Sequence, residues 1–160
     1  MDHLWAPWRS AYLQGDAKPT PDIFSRIAAD SDDETNLVLL RTKASFSLLN
    51  RYPYNTGHLL VLPYRPVTSP EELSPDETLD LWATANRLTA ALRTAFQPDG
   101  FNLGFNLGSC AGAGLPAHLH LHIVPRWHGD ANFMTVTAHT RVHPHDLPTV
   151  YARLKDTLAA

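Results

Sequence analysis

The sequence of 160 residues predicts an α+β domain on a mostly antiparallel sheet, and three patterns predict it. Short strand-like runs follow one another between residues 37 and 62 with no helix-length stretch between them. One long amphipathic stripe then opens at a complete helix-start signal at Ser74. Last comes a strict alternation of histidines and aliphatics, His118-Leu119-His120-Leu121-His122-Ile123-Val124. A parallel doubly wound sheet would need helices between successive strands, and they are missing here.

Taken in order, the amino terminus carries Trp5 and Trp8 but no apolar core of a signal peptide. The two tryptophans are expected to pack on the domain or on another subunit. The acidic run Asp30 to Glu34 reads as a solvated surface turn. Strands are predicted over Leu37 to Leu40, Ser45 to Leu49 and Gly57 to Leu62, with a turn around Pro63 and Pro66. Ser74-Pro75-Asp76-Glu77 is a capping box with proline at the first helical position. Leu79, Trp82, Ala85, Leu88, Leu92 and Phe96 recur at helical spacing and are expected to pack in the core. Pro98-Asp99-Gly100 ends that helix. Strands over Phe101 to Leu107 and His118 to Val124 flank a Gly/Ala-rich loop, and a shorter helix closes the chain from about Pro148 to Leu158.

The bulk numbers narrow the class. One domain is expected at this length, with flanking extensions packed on it or on a partner. A net charge of −3 offers no general footprint for nucleic acid. No stretch approaches the roughly 20 apolar residues of a membrane span, so a soluble cytoplasmic protein is expected. Cys110 is the only cysteine, which excludes an intrachain disulfide and a Cys-based zinc site.

On a strand, successive side chains point to opposite faces, so His118, His120 and His122 share one face. Three imidazoles there make a site for protons, metals or phosphates. Residues two apart lie roughly 7 Å apart and residues four apart roughly 13 Å. All three therefore do not readily reach one ion at about 2 Å. General acid–base chemistry and nucleophilic attack by a neutral imidazole are the other readings. A phosphorus electrophile suits the surroundings better, because Asn106, Gly108, Gly112 and Gly114 precede the histidines in a loop whose amides could cradle phosphate oxygens. The loop completes neither a G-x-G-x-x-G pattern nor a P-loop.

The run His118-x-His120-x-His122 resembles the signature of the histidine triad family of nucleotidyl hydrolases and transferases. Phe46-Ser47-Leu48-Leu49-Asn50, Pro53 to His58 and Leu60 to Arg65 are similar to the family's upstream strands. Asn106-x-Gly108-x-x-Ala111-Gly112 is similar to its phosphate loop. Leu4 to Arg9 and Val124 to Phe133 resemble a bacterial subgroup like diadenosine tetraphosphate phosphorylases. The resemblance implies a HIT-like fold and a homodimer acting on an adenine nucleotide or dinucleoside polyphosphate. It makes His120 the nucleophile that becomes a nucleotidyl-histidine, flanked by His118 and His122, with His58 bracing the set. Asn50 takes a ribose-contacting position. Asn106, Gly108, Gly112, Ala113 and Gly114 form the phosphate loop. Cationic histidines and loop amides would stabilise the nonbridging oxygens.

Where many members place glutamine after the Ala-Gly pair, this chain has Ala113, and the loop runs one residue longer. It also lacks the serine near Gly114 and the acidic residue near Ala117 that the subgroup often carries. Inorganic phosphate and water both stay open as the second acceptor. Some relatives bind zinc through Cys-x-x-Cys, but the comparable segment here is Asp22-Ile23-Phe24-Ser25, and Pro66 stands where His is common. No cofactor and no structural zinc are expected, and the only metal foreseen is a divalent ion accompanying the polyphosphate. The rival functions are hydrolysis of nucleoside phosphoramidates or adenylylated metabolites, and a non-catalytic nucleotide- or metal-binding module.

Other residues have plainer readings. Cys110 reads as a small buried filler ahead of a nucleophile. His128, His139, His143 and His145 read as surface or loop histidines. Arg126 and Trp127 suit substrate contact or an interface equally. Asp130 and Asn132 suit turns, and Ser109 is a modest phosphate donor.

Overall fold

The computed structural model describes residues 23–130 and 144–160. Five strands form one sheet: β1 (Val38–Arg41), β2 (Ser45–Leu49), β3 (Leu59–Pro63), β4 (Gly100–Phe105) and β5 (Leu121–Arg126). Their spatial order is β1-β2-β3-β5-β4, and every neighbouring pair is antiparallel. Among the described residues three α-helices accompany the sheet: α1 (Ile23–Ala29), α2 (Pro75–Phe96) and α3 (Leu147–Ala159). The α+β architecture expected from the pattern of runs is the one observed. Trp5, Trp8, Asn132, His139 and His143 lie outside the described residues.

Alternation in the strands sorts the core onto two faces. Leu39, Leu49, Leu59, Val61, Leu121 and Ile123 turn toward α2 and α3, where they meet Leu81, Leu88, Leu92, Val150 and Leu154. Val38, Phe46, Leu48, Leu60 and Leu62 turn the other way and pack with Phe24 of α1. The histidines share this second face.

Helix α2 starts as its sequence foretells. Ser74 Oγ accepts from the Glu77 amide, and the Glu77 carboxylate accepts from the Ser74 amide at 2.8 Å. Arg65 forks onto Glu77 as well and helps hold its carboxyl down at about 2. Gln97 closes the helix in the left-handed region, with φ at 48°. The core-facing stripe differs from the expected one. Leu81, Thr84, Ala85, Leu88, Ala91, Leu92 and Ala95 are buried, whereas Leu79 is 71% and Trp82 42% exposed. A three-residue step drifts off a 3.6-residue helix, so Leu79 and Trp82 rotate away from the face that Leu88 and Leu92 define.

Three boundaries also differ. Helix α1, only seven residues long, is held by tertiary packing of Phe24 together with Ile23, Ile27 and Ala28. Gly57 adopts φ of +74°, a turn conformation, so β3 begins at Leu59. Strand β5 begins at Leu121, after His118 and His120. The Leu119 amide bonds to Val67 O instead of to a ladder, and β4 has ended at Phe105 opposite Leu121. Asp146 caps α3 through the Thr149 amide.

Candidate active site

Sheet register decides what surrounds the histidines. His122 pairs with Leu60 on one side and Gly104 on the other. A Cβ on Gly104 would meet nothing within 4 Å, so the sheet leaves open space beside His122. Gly57 turns the chain so that His58 enters the same face, fully buried. The four imidazoles form one cluster, with ring centroids 4.8 Å apart for His120–His122 and 5.1 Å for His58–His122. Phe24 closes the other side, 5.6 Å from His118 and 5.5 Å from His120.

Backbone partners settle which nitrogen carries each proton, because a carbonyl only accepts and an amide only donates. His120 Nδ1 lies 2.8 Å from the carbonyl of His118, so Nδ1 is protonated and Nε2 holds a lone pair. His118 Nε2 donates to the carbonyl of Pro63 at 2.8 Å. The Tyr54 amide donates to His58 Nδ1 at 3.0 Å, so His58 carries its proton on Nε2. His58 Nε2 then donates to His122 Nδ1 at 2.9 Å, which leaves the His122 proton on Nε2. Asn106 Nδ2 stands 3.4 Å from that nitrogen, and with a proton on Nε2 the side-chain amide pairs there only when turned over to present its oxygen.

All three triad histidines are neutral in this site. Burial pushes each below the ordinary imidazole value of 6.5, and His122, next to His120, is held at about 4. Burial thus disfavours the cationic histidines expected from the sequence and favours neutral rings with oriented N–H donors. The arrangement sets a lone pair, on His120 Nε2, beside a fixed donor, on His122 Nε2. That is the equipment for nucleophilic attack on a group whose oxygens gain charge.

Residues 32–129 match the HIT domain family model. The chain belongs to the histidine triad family. It is 41% identical over 152 residues to the AP-4-A phosphorylase of Mycobacterium tuberculosis, a match covering 90% of this chain and 77% of that one. It is also 36% identical over 89 residues to the bis(5'-adenosyl)-triphosphatase of Dictyostelium discoideum, covering 56% and 59% of the two chains. Among solved structures, a zinc-bound histidine triad family protein from Mycobacterium smegmatis superposes with a TM-score of 0.68 at 26% identity, covering 86% of this chain and 92% of that one.

The HIT domain's acid sensitivity follows from the buried neutral rings. Between 6.5 and about 4 the unfolded chain binds a proton at His122 that the folded chain refuses. Acidification across that window therefore favours unfolding, and above it this histidine adds no slope. We expect the unfolding free energy to fall by up to about 1.4 kcal/mol per pH unit from this histidine alone. His118 and His120 act in the same direction. Urea midpoints at about pH 7 and about pH 5 measure it, and His122→Gln should flatten the slope. An unchanged slope in that variant would refute the assignment.

The remaining sequence-named residues of the HIT domain divide. Asn50 accepts from the Tyr52 amide at 3.0 Å and turns its own amide to His58 Nδ1 at 3.3 Å. In the loop, Gly108 and Gly112 sit at φ of 78° and 91° on either side of a 3-10 turn, Ser109–Ala111. The amides of Ala111 and Ala113 both bond to Gly108 O. Ala113 is buried, so it closes the loop from inside, while Gly114 is exposed. A helical turn leaves its first amides without internal acceptors, and here they belong to Ser109 and Cys110. Cys110 is exposed on that turn, contrary to the buried filler its solitary occurrence suggested. His128 and His145 are exposed, and His128 pairs with Asp99 at 2.8 Å. Trp127 Nε1 donates to Phe96 O at 3.4 Å. No helix of the described residues is long and apolar enough to cross a membrane.

Two contributors escaped the sequence reading. Phe24 lies on a helix of only seven residues, and Tyr54 acts through its backbone amide, to which residue type is blind. Tyr54 also lays its ring 4.6 Å from His58 and 5.7 Å from His122, stacked on the latter.

Proposed function

We propose that this protein cleaves the α-phosphate linkage of diadenosine polyphosphates, diadenosine tetraphosphate first, through an adenylyl-His120 intermediate with inorganic phosphate as acceptor. The observation that carries the reading is the 2.8 Å bond from His120 Nδ1 to His118 O, which leaves the Nε2 lone pair for attack beside the His122 donor. The 41% identical relative is named for phosphorolysis of such a substrate, and the 36% identical one for cleavage of a shorter homologue.

In the first step, His120 Nε2 bonds to the α-phosphorus and the bond to the leaving ATP oxygen breaks, ATP taking the electron pair. The Nδ1 proton stays in place, and the carbonyl of His118 faces the positive ring. His122 Nε2–H and the loop amides meet the nonbridging oxygens, His118 keeps its own proton on Pro63 O beside them, and Gly108, Gly112 and Gly114 let the loop approach. Asn106 orients the His122 donor, and Asn50 steadies His58. In the second step, a phosphate oxygen attacks the same phosphorus and releases ADP and neutral His120. Phosphate brings an anionic oxygen of its own, whereas water needs a base, and His122 Nε2 already carries a proton. No resident metal enters these steps, and a divalent ion travels with the polyphosphate as part of the substrate.

The homodimer and the cytoplasmic setting belong to the same proposal. Strand β4 is a sheet edge bearing Leu103, 41% exposed, and α2 presents Leu79 and Trp82 to solvent. Exposed apolar residues and a sheet edge unpaired among the described residues suit pairing with a second copy. A nucleotide substrate and a single exposed thiol suit a reducing compartment.

The deciding experiment supplies diadenosine tetraphosphate with and without labelled inorganic phosphate. ADP carrying the label plus ATP is the expected outcome. AMP plus ATP would replace phosphate by water as acceptor, and no product in either case would overturn the substrate.

A further inference from the structure

Beyond the histidines, a clamp ties the turn that leads into His58 to the end of β5. Asp130 accepts a two-pronged bond from Arg126, at 2.6 Å from Nε and 2.8 Å from Nη2. The same carboxylate accepts the Trp127 amide at 3.1 Å and the Asn55 side-chain amide at 2.7 Å. Arg126 is steadied in turn by Asn102 Oδ1 at 2.8 Å on β4. The Asp130 side chain is only 9% exposed, and these donors hold its carboxyl near 2. Asn55 also donates to Pro125 O at 3.1 Å, and its own carbonyl accepts the His58 amide at 3.1 Å. Its chain neighbour, Tyr54, supplies the amide that points at His58 Nδ1.

We propose that Asp130 is a positioning residue for the triad, holding Asn55 so that the Tyr54 amide stays on His58 Nδ1 and the His122 proton stays on Nε2. The effect passes along three hydrogen bonds and touches no substrate. Without Asp130, Asn55 keeps its 3.1 Å bond to Pro125 O but loses the 2.7 Å bond to the carboxylate, so the 54–57 turn is held less firmly. His58 Nδ1 then keeps the longer contact from the Asn50 amide at 3.3 Å but loses the firm one from Tyr54, so its proton is held less strictly on Nε2, and His122 follows it. His120 is set separately by its own chain carbonyl, so its tautomer is independent of Asp130.

That independence makes the test specific. Only its kinetic arm rests on the nucleotidyl-transfer reading; its spectral arm uses the ligand-free protein labelled with ¹⁵N-histidine. Long-range ¹H–¹⁵N spectra distinguish protonated from unprotonated ring nitrogens. The wild type should show single Nε2–H tautomers for His58 and His122 and a single Nδ1–H tautomer for His120. In Asp130→Asn, which keeps the shape and loses the charge, and in Asn55→Ser, the His58 and His122 nitrogens should move toward averaged values while His120 stays put. Turnover should fall about 10- to 100-fold with KM changed much less, as for other orienting partners outside direct contact. Glu77→Ala, which breaks the cap of α2, should lower stability and leave all four tautomers alone. Wild-type tautomers in either clamp variant would overturn the proposal. Shifted tautomers with undiminished turnover would support the clamp and overturn the donor role given to His122. Absence of wild-type turnover on diadenosine tetraphosphate would overturn the functional reading and leave the spectral result standing.

Discussion

His120→Ala should abolish turnover of diadenosine tetraphosphate, by at least about three orders of magnitude, the scale seen when a covalent nucleophile is removed. Covalent labelling should vanish with it: a radioactive adenylyl group trapped on the wild-type protein by rapid denaturation should be missing from the variant. The loss is expected in kcat, because the phosphate loop and the His122 donor remain. His120 contributes a single hydrogen bond to the fold, from Nδ1 to the neighbouring carbonyl. Removing it leaves one buried acceptor unpaired, costing about 1–3 kcal/mol, so the variant should remain folded. Retention of full activity by a folded His120→Ala protein would sink the mechanism.

Leu92→Ala should produce the largest loss of stability among single core truncations near the site, about 2–5 kcal/mol out of a total of about 5–15 kcal/mol. Leu92 is fully buried between α2 and the sheet, and its Cδ2 lies 2.9 Å from where a Cβ on Gly57 would stand. It therefore supports the turn that carries His58 from beneath. The cavity left by alanine should loosen that turn, so activity should fall more than global unfolding explains. Leu79→Ala, on the exposed side of the same helix, should stay within about 0.5 kcal/mol of wild type. Chemical denaturation of the two variants in parallel tests the face assignment. Similar losses at both positions would place Leu79 in a packed environment that its 71% exposure contradicts.

Much of the fold was legible because its signals are local. Ser74 to Glu77 foretold the start of α2 to the residue, since a capping box satisfies its own amides without outside help. The alternation at His118 to Ile123 foretold which side chains share a face, since that follows from the pleat alone. Leu79 and Trp82 misled, because a stripe read at three-residue steps drifts around the helix. Helix α1 was invisible, because seven residues are too few to hold a helix by propensity, and it is the packing of its Phe24 on the sheet that holds it.

The candidate site divides in the same way. From the sequence alone, three histidines share one face beside a glycine-bearing loop, which suffices to indicate a phosphorus electrophile and, through the flanking motifs, the histidine triad family. Tertiary structure alone decided the proton positions. The donor on His122 depends on His58, 64 residues away in sequence, and His58 depends on the backbone amide of Tyr54, whose turn Asp130 holds from 75 residues beyond Asn55. A tautomer is chosen by whichever donor or acceptor the fold brings to within about 3 Å of each ring nitrogen. Residue types supply the imidazoles, and long-range contacts choose the nitrogen that holds the proton.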